Sequence, residues 1–123
     1  MADTKKDKLI ELLQGMQKIG DISGSIVVSR DGLVIASNIT KIDADTFAAM
    51  SAAMEGAAET AASELKQGEL KQIIVDADNG KLITLSAGKK ALLVVLAKPE
   101  INLGLVLLEL GRASDKLSNL LGD

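Results

Sequence analysis

The chain has 123 residues, a formal net charge of −3, and 47% hydrophobic and 25% charged residues, which fits one globular domain long enough to bury a core. It has no His, Cys, Trp or Tyr, so the commonest general base, the thiol nucleophile and the best metal ligands are missing. Its arginines are Arg30 and Arg112 alone, with no basic stripe, which argues against a nucleic-acid reader.

The first predicted helix runs from about Thr4 to Ile19. Leu9, Leu12, Leu13, Met16 and Ile19 share one face at helical spacing, and Gly20-Asp21 ends it. Two apolar runs follow, Ser25–Val28 and Leu33–Ser37, on either side of Ser29-Arg30-Asp31-Gly32. An Asp-Gly turn between β-branched runs predicts a hairpin. The second helix starts near Asp43, a good N-cap, and runs to about Lys66, with Gly68 as its stop. Its predicted inner stripe is Phe47, Met50, Met54, Ala57, Ala58, Ala61 and Leu65.

A second hairpin spans Lys71–Val75 and Lys81–Ala87, with Asn79-Gly80 suited to a type I′ turn. Ala91–Ala97 has no polar alternation and reads as a central strand buried on both faces. Pro99 closes it. Leu103, Val106, Leu107, Leu110, Ala113, Leu117, Leu120 and Leu121 repeat at helical spacing, so a third helix runs from Asn102 or Leu103 to Leu121. The order is α-β-β-α-β-β-β-α, a single α+β domain over 1–123. Its five strands form one mainly antiparallel sheet, with helices on both faces. No apolar run approaches the roughly 18–20 residues of a membrane span, and the N-terminus lacks the apolar segment of a leader. A cytoplasmic protein is expected.

That order resembles the Roadblock family of dynein light chains and MglB-like prokaryotic partners of Ras-like GTPases. The resemblance rests first on the strand Leu92–Leu96 followed by Asn102-Leu103-Gly104-Leu105 and Leu108–Ala113. It rests also on the hairpin around Arg30-Asp31-Gly32. It covers Leu9 to Leu121. It implies a Roadblock/profilin-like fold, with the second helix on one face of a five-stranded antiparallel sheet and the terminal helices on the other. It also implies a homodimer made by the second helices and the neighbouring edge strands, and a non-enzymatic role in regulating or scaffolding small GTPases or adapting cargo. The chain departs from the family in lacking the family's aromatics and having few arginines.

The residues give independent reasons for an assembly. Alanines 48, 49, 52, 53, 57, 58, 61 and 62 surround the second helix, and small residues on a second face permit close approach by another helix. The strand Lys71–Val75 is a predicted sheet edge, open to pairing with a symmetry mate or blunted by Lys71 and Lys81. The expected protein interface is Met50, Met54, Ala57, Ala58, Ala61 and Leu65 at or beneath a helix platform, Ser51, Glu55 and Glu59 exposed on it, and Ile73 and Val75 on the edge strand.

Other chemistry finds little support. Gly15 and Gly20 have a phosphate-loop gap but Asp21-Ile22 follows in place of Lys and Ser or Thr. Asp76–Gly80 hints at a calcium loop, yet its twelfth position is Ala87. The pairs Asp43/Asp45 and Glu55/Glu59 read as solvated helix faces, and Arg30 as a solvated turn residue rather than an arginine finger. No catalytic, metal or cofactor residue is expected. The function expected is a dimeric regulator or scaffold of a small Ras-like GTPase, with a GTPase-activating role as one candidate. A small-molecule sensor or cargo adaptor of the same fold is the alternative. Neither nucleic acid nor membrane insertion is expected.

Overall fold

The computed structural model describes residues 4–122; Met1–Asp3, the start of the Met1–Asp7 stretch read for a leader, fall outside them. The elements are α1 (Lys5–Met16, continued by a 3-10 turn Gln17–Ile19), β1 (Ile22–Ser29), β2 (Val34–Asn38), α2 (Ala44–Glu64), β3 (Gln72–Ala77), β4 (Gly80–Ala87), β5 (Ala91–Ala97) and α3 (Leu103–Leu120). All strand pairs are antiparallel, in the order β2-β1-β5-β4-β3. The α+β architecture matches the sequence reading throughout.

Each helix begins where a short polar side chain can satisfy its free N–H groups. Thr4 and Asp7 form a reciprocal capping box ahead of α1. Asp43 accepts from Thr46 N–H (3.2 Å) and the Thr46 hydroxyl (2.7 Å), bonds that hold its carboxyl below the ordinary value. Asn102 accepts from Leu105 N–H (3.2 Å). The far end of α2 closes two residues before the expected Gly68. Lys66 takes φ 56°, Gln67 N–H reaches Ala62 C=O (2.8 Å) and Lys66 N–H reaches Ser63 C=O (3.0 Å). This is a Schellman closure built on lysine instead of glycine.

The second hairpin also differs from its prediction. Ala77 pairs with Gly80, so Asp78-Asn79 form the loop and neither takes positive φ. Gly80 belongs to the strand. A Cβ there would lie 2.9 Å from Ala97 C=O, so close approach of β5, rather than turn geometry, calls for glycine.

Two cores lie on the two sheet faces. On one, α1 and α3 bury Leu9, Leu13, Met16, Val106, Leu110 and Leu117 against Val27, Ile83, Leu93 and Val95. On the other, Phe47 and Ala48 of α2 pack on Ile26, Val28, Leu92 and Val94. β5 pairs on both sides and is buried on both faces, as its unbroken apolar run predicts. No helix of the described residues is long and apolar enough to cross a membrane.

Candidate functional site

The face that α2 turns to its own sheet is only partly the face predicted: Phe47 is inside as expected. Its buried residues are Phe47, Ala48, Ser51 and Glu55. Ser51 and Glu55, expected on the surface, are inside, at 0% and 4% exposure. Met50, Ala57, Ala61 and Leu65 of the expected inner stripe are outside, with Met50 63% and Leu65 69% exposed. Met54 and Ala58 are half-buried. The inward line changes character along the helix: it is apolar at Phe47 and Ala48, then polar at Ser51 and Glu55. Hydrophobic periodicity followed the apolar residues, and those point away from the sheet.

The turn between β1 and β2 accounts for part of the alanine content. Gly32, at φ 93°, sits so close to α2 that a Cβ there would lie 3.5 Å from Ala49 Cα and 3.6 Å from Ala52 Cβ. Those two alanines accommodate a backbone approach within the chain. Ala53, Ala57 and Ala61 are exposed.

α2 packs mainly on β1 and β2, and α3 covers β4 from the other side. Among the described residues, α2 makes no comparable packing with β3. Leu82 of β4 belongs to the core beneath α2, and the register puts Val75 opposite Leu82 and Ile73 opposite Thr84. Directly opposed residues share a face, so Ile73 and Val75 lie on the α2 side, both half-buried. β3 is an edge strand, as expected, with its outer side unpaired among the described residues. The expected Lys71 and Lys81 blunting is partly realised differently: Lys81 pairs inward with Asp76 (3.1 Å) and donates to Pro99 C=O (2.8 Å).

Arg30 is an exposed turn residue, as expected, but its guanidinium is not free. Its Nε donates to Lys89 C=O (2.8 Å), Nη1 to Glu59 Oε1 (2.8 Å), and Nη2 to Ser86 Oγ (3.1 Å) and Gly88 C=O (3.2 Å). Glu55 Oε2 lies 3.6 Å from Nη1. Glu55/Glu59 is accordingly an ion-pair cluster and not a solvated face. It borders a groove of about 580 Å³ between α2, the 68–70 segment and the β4–β5 turn. No group of three or more His, Cys, Asp or Glu among the described residues could hold a metal ion. The Asp76–Gly80 stretch is strand and turn.

Burial pushes the Glu55 carboxyl above its ordinary value of 4.5, the neighbouring Glu59 adds to the rise, and Arg30 opposes it. The folded chain thus holds this proton more tightly than the unfolded chain. That contribution to stability is fully present below about pH 4.5 and is lost as pH rises through the raised value. Glu55→Gln keeps the shape and removes the titration. Its stability relative to the parent is expected to improve between about pH 4 and pH 7. Urea midpoints at the two pH values check this; a constant gap, or one that moves the other way, would contradict it.

A family model described as Roadblock/LC7 domain matches residues 8–97. The uncharacterized proteins MJ0310 and MJ1340 of Methanocaldococcus jannaschii are 41% and 40% identical over 107 residues, which is 86% of this chain and 93% of each relative. Among solved structures, an MglB with tetrameric arrangement superposes with a TM-score of 0.88 at 22% identity, over 98% of this chain and 92% of that one. The gliding protein MglB of Thermus thermophilus gives 0.87 at 22%, over 98% and 93%. The Roadblock/LC7 domain from Streptomyces avermitilis gives 0.87 at 23%, over 93% and 98%. At these identities the structural likeness bears on the fold, which is the same. With its sheet order, its matched segment and its archaeal relatives, the chain belongs to the Roadblock/LC7 family.

Proposed function

We propose that two copies of the chain pair through the outward flank of α2 and the edge of β3, and that the paired helices form a platform for a small Ras-like GTPase. The observation that carries this reading is the apolar, small-residue face of α2 that points away from its own sheet. Met50, Ala57, Ala61 and Leu65 are exposed there, and Ile73 and Val75 lie on the edge strand β3, on the α2 side of the sheet. A soluble helix needs one apolar face, and the first half of α2 already has one. Small residues let a second helix approach to about 8–10 Å between axes. A two-fold axis makes one such patch complementary to itself, and the same axis can join β3 to its copy in a continuous sheet. Membership in the Roadblock/LC7 family and likeness to MglB structures, one of them an MglB with tetrameric arrangement, support the reading.

The protein acts in this account without chemistry of its own. Arg30 is held by Glu59 and three other acceptors, and Arg112 pairs with Glu109 on α3 (3.3 Å). Neither is poised as a finger. Any stimulation of the partner comes from ordering its switch loops. The test is a binding titration against the small GTPases of the source organism, each loaded with GDP and with a non-hydrolysable GTP analogue. Binding selective for the GTP form is expected; no binding in either state would overturn the proposal.

A further inference from the structure

The far half of α2 poses a question of adhesion. Residues 56–65 contain no buried side chain, so apolar burial within the chain does little to fix them. The first half is anchored by Phe47 and Ala48 on the sheet. Beyond it the inward residues are polar: Ser51, whose buried hydroxyl finds no hydrogen-bond partner among the described residues, and Glu55. A helix of 21 residues is roughly 30 Å long, so a small tilt about the anchored half moves its far end by several ångströms.

Arg30 supplies the missing attachment. We propose that it is a positioning residue: its guanidinium clamps the far half of α2 to the two sheet turns and so fixes the geometry at which the α2 face meets its partners. The consequence for partners deepens the platform reading and rests on it; the clamp belongs to the single chain.

The geometry carries the proposal. The guanidinium joins three elements at once: its own β1–β2 turn, Glu55 and Glu59 on α2, and Ser86, Gly88 and Lys89 at the β4–β5 turn. A planar group with five fixed donors can hold acceptors on several sides, and a lysine ammonium cannot reproduce that fork. The turn that carries it is set by its own bonds. Ser29 N–H donates to Leu33 C=O (2.8 Å), Gly32 N–H to Ser29 C=O (3.0 Å) and Leu33 N–H to Ser29 Oγ (3.0 Å). Gly32 then seats against Ala49 and Ala52. Arg30 is thus presented to the helix from a fixed base.

The charged residues that line the groove with Arg30 are Glu55 and Glu59 from α2, Glu69 from the segment before β3, and Lys89 from the β4–β5 turn. Glu55 and Glu59 are four residues apart on one helix, a like-charge spacing that opposes helix formation. Removing Arg30 therefore loses the tether and leaves two carboxylates repelling across one helical turn.

Hydrogen–deuterium exchange on the whole chain, with no GTPase added and at a concentration where light scattering gives parent and variants the same mass, tests the clamp. Arg30→Ala is expected to raise amide exchange over residues 58–67 by about tenfold, in line with the loss of charge-assisted bonds that resist local opening. Residues 46–54 should exchange as in the parent. Glu59→Gln should raise exchange over the same far segment, which keeps the test available if Arg30→Ala folds poorly. The double variant should exchange no faster than Arg30→Ala alone, because the two residues act through one contact. An equal rise in both halves, no rise in the far half, or additive effects in the double variant would overturn the clamp. Arg30→Ala is also expected to weaken GTPase binding although it leaves Met50 and Ala57 in place. If the parent itself binds no GTPase, the platform reading fails while the exchange result still decides the clamp.

Discussion

Ala57→Arg is expected to convert the protein from a dimer to a monomer, with the solution mass falling from twice the 12.8 kDa chain mass to that of one chain. Ala57 is exposed on its own protomer, and arginine is a good helix former, so the fold of the single chain should tolerate the change. At a two-fold helix contact the substitution acts twice. Each copy brings a long charged side chain to a surface whose closeness depends on alanine, and desolvating that unpaired charge costs several kcal/mol. Light scattering at micromolar concentration reads the result. An unchanged mass would remove Ala57, and with it this flank of α2, from the interface.

Leu93→Ala should have its effect on stability and not on mass. Leu93 is fully buried in β5, the third strand of five. It shares its face with Val27 and Leu85, directly opposite on the two flanking strands, and belongs to the core that includes Leu13, Leu110 and Leu117. With a single aromatic in the chain, that core is made of aliphatic contacts and has no large neighbour to slide into the space. Truncation is expected to cost about 3 kcal/mol, and the thermal midpoint should fall by roughly 10 °C or more. Calorimetry on both proteins checks it. A loss of under about 1 kcal/mol would mean that the site collapses around the gap.

Much of the architecture was legible because local and global signals agree. The unbroken apolar run Ala91–Ala97 is the doubly buried strand it predicts. Asn102 caps α3, and Asp43 caps α2. Asp31-Gly32 makes the first turn. What misled the reading is specific. On α2 the predicted inner stripe was Phe47, Met50, Met54, Ala57, Ala58, Ala61 and Leu65; of these the sheet takes Phe47, and it adds Ala48, Ser51 and Glu55. Periodicity reports that a helix has an apolar face; it does not say whether the chain's own sheet covers it. The polar residues Ser51 and Glu55 on the inward line carried the missing signal, since they make the other stripe the more apolar one. Arg30 was illegible for another reason. Its acceptors Glu59 and Lys89 stand 29 and 59 residues away, so no local spacing could announce them. Lys66 in the left-handed conformation and the Asp78-Asn79 loop are smaller cases in which the backbone geometry does not fall on the residue that prefers it.

The central claim is that the outward flank of α2 is covered by a second copy. Methionine methyl groups can report on it directly. Met16 is buried in the α1 core, Met50 lies on the outward flank and is 63% exposed in the single chain, and Met54 is half-buried beside it. With the methionine methyls isotopically labelled and a soluble paramagnetic agent added, exposed methyls lose signal and covered ones keep it. The account predicts that Met50 is protected nearly as well as Met16 in the parent protein and becomes strongly attenuated in Ala57→Arg. Strong attenuation of Met50 in the parent, at the same level as in the variant, would contradict it.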